Sequence, residues 1–355
     1  MRLLSIGQKV ARVIQAVDYD GRQKTTANRA YQALTEAEPD RSLDESTERE
    51  IREYSRAILG SPRFAPWLRF YAAVQGKFLE GWIPDNFFGR VVLEKLQNPR
   101  NRRLTGSKTL MRRNLGTDLV PDIASFVRGC WIDPDGEPLS NDSALSLIFQ
   151  KHDHVIVKAD HSARSEGVRR VSKTQFDLDK LSNLGDFVVQ EPIRPVAELA
   201  VLVEGNLATV RITTVKPNGA PAQARAAFVR FGRASQTIVH ADTEIDVAVT
   251  DDQGSLGEIG LMPDWSLTNT HPDTGAVFRG IKIPKFAEAA DTCCKLHDRV
   301  PHLTIIGWDV AIDEHNAVKL LEWNLGHMEI NVTEALLGPC FKDLGWETLN
   351  SSRSS

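Results

Sequence analysis

Two short apolar runs, Ile305-Ile306-Gly307-Trp308-Asp309-Val310 and Leu320-Leu321-Glu322-Trp323-Asn324, flank the polar turn Asp313-Glu314-His315-Asn316. That pattern predicts a β-hairpin. Side chains alternate faces along a strand, so Glu322 and Asn324 must point the same way. With Ile312 paired to Ala317, Gly307 would oppose Glu322 and Asp309 would oppose Leu320. Asp309 and Glu322 then lie diagonally on one face, within reach of a shared cation. Acidic residues at a hairpin end also occur as plain surface decoration. Here Gly307, Trp308, Leu321 and Trp323 make the segment too apolar for an exposed ribbon, and buried carboxylates need cations. Three oxygen donors, Asp309, Glu322 and Asn324, suit a magnesium–nucleotide site.

The rest of the chain bounds the fold. Its 355 residues, 41% hydrophobic and 25% charged, suffice for two or three packed subdomains. A net charge of −4 gives no footprint for sequence-independent nucleic-acid binding. The basic stretch Arg100, Arg102, Arg103, Lys108, Arg112 and Arg113 reads either as a solvated face or as a contact for an anionic ligand. Cys130, Cys293, Cys294 and Cys340 contain no Cys-x-x-Cys pair, so all four read as reduced, buried or half-buried thiols. Charge interrupts the N-terminal apolar run too early for a secretion signal, and no run of about 18 apolar residues occurs. The expected location is cytoplasmic, with no membrane span.

Residues 1–100 read as helical. Val10, Val13, Ile14 and Val17 share one stripe, and Trp67, Phe70, Tyr71, Val74 and Phe78 share another. A further helix follows Pro84, with Asp85 as its cap, and the polar residues 36–50 read as a loop. From residue 101 strand-like runs enter: residues 155–158, 187–190, 199–203, 209–215 and 224–231, with helices near 174–184 and 284–300. The mixture of strands and helices predicts α+β. The segments expected are 1–100, helical; 101–190 and 191–345, two mixed subdomains, the second carrying the Asp309 hairpin; and 346–355, a tail.

Several residues carry potential chemistry. Lys158 ends an apolar strand before the small-residue loop Ser162-Ala163-Arg164-Ser165-Glu166-Gly167, where a lysine can meet phosphate oxygens or simply face solvent. Lys108 is open to the same two readings. Gln190-Glu191-Pro192-Ile193, followed by Glu198, can form a hinge or a solvated strand end. Arg211, inside the β-branched run Thr209-Val210-Arg211-Ile212-Thr213, needs an anionic partner, either a structural carboxylate or a phosphate.

In order, the two lysines, the acidic hinge, the strand arginine and Asp…Glu-x-Asn resemble the ATP-grasp superfamily. Residues 206–213, His271-Pro272-x-Thr274-Gly275, Gly280-x-x-Ile283-Pro284 and Ile306-Gly307-Trp308-Asp309-Val310 resemble more narrowly its sugar-transfer-associated branch, over about residues 85 to 335. The resemblance implies an α+β grasp of two subdomains clasping a nucleotide behind a helical N-terminal region. It assigns Lys108 and Lys158 to the phosphates, Gln190, Glu191 and Ile193 to adenine, and Glu198 to ribose. It places Arg211 beside the transferred phosphate and makes Asp309, Glu322 and Asn324 the magnesium ligands. Arg211 and Lys158 would be the catalytic pair, with ATP and magnesium as cofactors. The family's loop after Lys158 is glycine-rich. This chain has Arg164 there, which either covers the phosphates, the favoured reading, or weakens closure. The implied activity is ADP-forming ligation of a carboxylate, such as a sugar acid or amino acid, to an amine. A small-molecule kinase and a nucleotide-binding scaffold are the alternatives, and nothing in the sequence separates ligase from kinase.

Overall fold

The computed structural model describes residues 6–98, 101, 107–162, 167–203, 206–233, 243–326 and 328–350, with side chains from residue 17 onward. Two compact units share the chain: residues 1–98, 259–268 and 329–355 form one, and residues 99–258 and 269–328 the other. The helical unit therefore recruits two later stretches of sequence instead of ending near residue 100.

In the first unit, helices span Ile6–Ala37, Glu45–Ala57 and Ala65–Gln75, and a helical stretch occupies residues 85–96. Residues 36–50 are not one loop. Asp44 accepts a hydrogen bond from Thr47 N at 2.8 Å and starts a helix whose first turn carries Glu45 and Glu48, charges that suit the positive end of the helix dipole. The aromatic stripe holds from Trp67 to Val74. The helix then ends at Gly76 in the left-handed conformation, so Phe78 lies beyond it and packs on Tyr54 and Trp82. Asp85 is not a cap: Pro84 occupies that position, and Asp85 Oδ2 instead accepts from Gln23 Nε2 at 2.8 Å. Val17, expected on an apolar stripe, is exposed; Val10, Val13 and Ile14 lie outside the described side chains.

Trp67 and Phe70 pack edge-on against Trp265, which anchors residues 259–268 in this unit. Glu334, on the helix Ile330–Leu337, is buried and accepts from Ile83 N and Cys340 N, both at 2.7 Å. Burial pushes its carboxyl well above the usual range, and these two bonds oppose that shift. Trp346, placed by sequence in a tail, is buried against Phe341 and Phe88, so the core runs past residue 345. Ser351–Ser355 lie outside the described residues.

The second unit contains a six-stranded sheet of β1 (Asp122–Val127), β2 (Cys130–Ile132), β3 (Pro138–Leu139), β4 (His154–Ala159), β5 (Val168–Ser172) and β6 (Phe187–Gln190), in the order β3-β2-β1-β6-β4-β5. Val155, Val157, Phe187, Val189 and Ala124 line one face and form a core with Ala144 and Ile148 of the helix Asn141–Ile148. Lys158 and Gln190 therefore project from the opposite face.

The other sheet comprises β7 (Thr209–Val215), β8 (Gln223–Phe231), β9 (Ile245–Val249), β10 (Leu256–Leu261), β11 (Leu267–Thr268), β12 (Ile305–Ile312) and β13 (Val318–Asn324), in the order β11-β10-β9-β8-β7-β12-β13. The α+β class and the run Thr209–Val215 match the sequence reading. Residues 199–203 do not: a short helix, Ala197–Ala200, replaces the expected strand. The helix Phe286–Asp298 packs behind β7, β8 and β12. There Trp308 Nε1 donates to Thr214 Oγ1, which lies 2.8 Å from His297 Nδ1, while His297 Nε2 reaches Leu303 O. Burial depresses this imidazole to about 4, so it is neutral at physiological pH. All four cysteines are free, and Cys130 is exposed, contrary to the expectation of four shielded thiols.

Candidate active site

The hairpin register differs from the expected one. Asp313 N closes the turn on Ala317 O, Ile312 pairs with Val318, and an irregularity between Asp309 and Val310 shifts the count. Asp309 consequently stands directly opposite Glu322, and Gly307 opposite Asn324. A bulge inserts a residue in one strand and re-aims the side chains beyond it. Here it converts the expected diagonal into a direct cross-strand pair, bringing the carboxylates closer than the sequence reading required.

On the other side of β12, Arg211 of β7 is also paired with Asp309, so Arg211, Asp309 and Glu322 form a row across three strands. The guanidinium grips the carboxylate with two bonds, Nε to Oδ1 at 2.5 Å and Nη2 to Oδ2 at 3.0 Å. Gly307 makes room for this arm: a Cβ there would meet Met328 Sδ at 3.0 Å and Arg211 Cδ at 3.4 Å. Asn324 Nδ2 donates to Asp309 Oδ2 at 3.3 Å. Burial favours the neutral form of Asp309, but the charges of Arg211 and Arg230 and the Arg211 hydrogen bonds outweigh it and hold this carboxyl below its ordinary range.

The lysines come from β4 and from the turn Lys108–Leu110. Lys108 is only 9% exposed and sits at the start of a tight turn, its Nζ 2.8 Å from Ser162 O and 3.7 Å from Glu322 Oε1. Lys158 is half-buried by accessible surface, yet its ammonium is enclosed densely enough that burial lowers its pKa. Lys108 acts in the same direction, while Glu322, Asp122 and Asp309 oppose it. Among the described residues Lys158 has no hydrogen-bond or ion-pair partner within 4 Å. Gln190 donates to Asp122 Oδ1 at 2.8 Å; burial raises the Asp122 carboxyl to about 6 against the pull of that bond, Lys158 and Arg112.

The remaining expected residues are less tightly gathered. Glu191 N is already donated to Pro121 O, and Ile193 is half-buried on a segment held to the hairpin by Glu314 N to Arg194 O and Val196 N to Ile312 O. Glu198 is exposed and lines a shallow groove of about 540 Å³ with Gln253 and Lys282. No described bond ties it to the lysine–carboxylate cluster. Neither that groove nor one of about 550 Å³ beside Lys216 and Asp298 includes the cluster's residues. Arg164, with Ala163, Ser165 and Glu166, lies outside the described residues. Gly167 is required by packing: a Cβ there would lie 2.4 Å from Ser162 Cβ.

Besides Asp122, three acidic residues and one arginine near the cluster escaped the sequence reading. Asp160 accepts three hydrogen bonds from the Lys108 turn. Arg230 of β8 lies opposite Asp246 of β9, with Nε 3.6 Å from Glu244 and 3.9 Å from Asp246. Asp246 is 17% exposed, and burial together with the neighbouring Glu244 charge raises its carboxyl to about 8. The signal was present, since Ile245-Asp246-Val247-Ala248-Val249 sets one acid in an apolar run, just as Arg211 is set in β7.

The donor set suits a hard divalent cation. Among the described residues no three of His, Cys, Asp and Glu gather as a metal site, but Asp309 and Glu322 supply two carboxylates and Asn324 an amide oxygen. Asp309 keeps lone pairs beyond those used by Arg211, and Glu322 is the open member, 35% exposed.

The chain belongs to the sugar-transfer associated ATP-grasp family, whose sequence profile matches residues 144–339, more than half of the chain. Solved structures similar to it include the biotin carboxylase domain of 2-oxoglutarate carboxylase from Hydrogenobacter thermophilus, with MgADP, ADP and bicarbonate (11% identity over 70% of this chain and 46% of that one, TM-score 0.44). They also include biotin carboxylase from Campylobacter jejuni (12%, 71% and 47%, TM-score 0.43) and the D-alanine-D-alanine ligase from Coxiella burnetii (13%, 71% and 57%, TM-score 0.38). The chain spans about half the length of these structures, and the family assignment rests on the sequence match. No curated protein matches the chain in sequence.

Proposed function

We propose that the second unit binds ATP with magnesium and uses it to activate a carboxylate as an acylphosphate, which an amine then attacks. The observation that carries this reading is Lys158: a densely enclosed ammonium with no partner within 4 Å among the described residues, facing Glu322, Asp122 and Asp309. A buried, unpaired ammonium is costly, and a polyphosphate would relieve that cost.

Each residue then has a task. Lys108 and Lys158 hold phosphate oxygens, and Arg211, fixed by Asp309, spreads positive charge over the transferring phosphoryl group. Asp309, Glu322 and Asn324 hold magnesium, which supplies Lewis-acid neutralisation of phosphate charge. Ile193 offers backbone groups to adenine; Glu191 offers fewer, since its N–H is already bonded, and Gln190 is turned to Asp122. Glu198 takes the ribose only if the hinge segment brings its groove to the nucleotide. The carboxylate oxygen attacks the γ-phosphorus and ADP leaves; the amine then attacks the acyl carbon and expels phosphate.

The test is trapping. Purified protein with ATP, magnesium, hydroxylamine and a panel of sugar acids and amino acids is expected to yield ADP and a hydroxamate. ADP with a stable phosphate ester would instead identify a kinase. No nucleotide turnover across the panel, with no nucleotide bound, would end the proposal.

A further inference from the structure

The Lys108 turn lacks a local cap. Ser107 precedes the turn Lys108–Leu110 without capping its backbone N–H groups, its Oγ lying 3.3 Å from Thr109 Oγ1 instead. Asp160, just beyond the end of β4, supplies what is missing from 51 residues away. Its Oδ1 accepts from Thr109 N at 3.0 Å, and its Oδ2 accepts from Thr109 Oγ1 at 2.9 Å and Ser107 Oγ at 3.1 Å. Thus both residues flanking Lys108 are tied to one carboxylate. Asp160 is itself fixed, its N donating to Asp186 O at 2.8 Å. Two residues on, Ser162 O receives Lys108 Nζ at 2.8 Å, and Ser162 Oγ is bound to Ala159 O. The lysine is therefore held at its backbone and at its ammonium by one short segment, residues 159–162, and its Nζ is left 3.7 Å from Glu322.

We infer that Asp160 is the positioning residue for Lys108, latching the 107–109 turn to the end of β4 so that Lys108 and Lys158, on that same strand, present their ammonium groups together to the nucleotide phosphates. This rests on the nucleotide reading of the site. The latch works by hydrogen bonds, not by charge. An asparagine can reproduce it, since its Oδ1 still accepts from Thr109 N while both hydroxyls can turn to accept from Nδ2. Alanine cannot. Lysine on an unlatched turn loses the preorganisation that makes a charge-assisted bond effective, because its long side chain must then be ordered at the moment of binding.

The experiment is a calorimetric titration with the non-hydrolysable analogue AMP-PNP and magnesium. It compares the full chain with Asp160→Ala, Asp160→Asn, Lys108→Met and the double variant Asp160→Ala/Lys108→Met. Asp160→Ala is expected to weaken binding about tenfold. The double variant should bind no more weakly than Lys108→Met alone, because the latch acts only through that lysine. Asp160→Asn should lie within about threefold of the unaltered protein. An unchanged Asp160→Ala affinity would overturn the latch, as would losses that multiply in the double variant, which would mark a merely structural role. An asparagine variant as weak as the alanine one would overturn it too, by pointing to charge. Absence of AMP-PNP binding by the unaltered chain overturns the nucleotide reading and the latch with it, an outcome distinct from these three.

Discussion

Replacing Arg211 by Met should expose how much of the site is scaffold. Arg211 and Asp309 are 4% and 10% exposed and share two hydrogen bonds. Removing the guanidinium leaves the Asp309 carboxylate buried with the Asn324 amide at 3.3 Å as its remaining near donor among the described residues. Breaking such a pair from one side costs about 3–5 kcal/mol, which for a unit of this size is a fall in melting temperature of roughly 10 °C. The pH dependence carries a sign. In the unaltered protein the Asp309 pKa is depressed, so its contribution is fully present above the unfolded value near 4 and is lost as pH falls below that. Without Arg211, only the charges of Arg230 and Lys158 are left to oppose burial, and the carboxyl takes up a proton at higher pH. The stability gap between variant and parent should therefore narrow as pH is lowered from 8 towards 5. The double variant Arg211→Met/Asp309→Leu, with neither charge of the pair left, should recover most of the loss while remaining inactive. Urea unfolding followed by circular dichroism measures all three. A single variant within about 1 kcal/mol of the parent at pH 8, or a double variant no more stable than the single, would refute this reasoning.

Lys158→Met should weaken ATP binding by about 1–3 kcal/mol in calorimetry with the fold retained, since the ammonium has no described partner to lose; unchanged affinity would remove Lys158 from the site. Asp246→Asn should stabilise the protein at alkaline pH. Burial and the Glu244 charge raise its carboxyl, so the parent loses stability as pH climbs from the unfolded value near 4 towards the folded one, and the asparagine variant does not. Unfolding curves at pH 5 and 9 that differ equally for both proteins would contradict that assignment.

The fold and site were legible to different depths. A β-branched run gave β7 closely, and the apolar run from Ile305 gave β12. The paired chemistry of Arg211 and Asp309 was implicit in two ionisable residues stranded in apolar runs. The direct Asp309–Glu322 register was not legible, since the irregularity beside Val310 leaves no mark in composition. Residues 45–50, read as part of the loop 36–50, misled because the apolar face of their helix is narrow: Ile51 and Tyr54, which are buried, lie beyond them, and the first turn held by Asp44 is polar. Residues 199–203 misled in the other direction, as Leu199, Leu202 and Val203 are buried from a helical turn and not from a strand. Asp160 was invisible because its partners lie 51 and 53 residues away.

The measurement that bears most directly on the central claim is ATP binding with and without magnesium, in the parent and in Glu322→Gln. Glu322 lies opposite Asp309 and is 35% exposed, so amidation removes one charge from the cation site and little from the fold. Calorimetric titration should show ATP binding that strengthens markedly when magnesium replaces EDTA, and a Glu322→Gln protein, equally folded, in which magnesium no longer strengthens it. Equal ATP affinity in magnesium and in EDTA for the parent, or an undiminished magnesium effect in Glu322→Gln, would contradict the account.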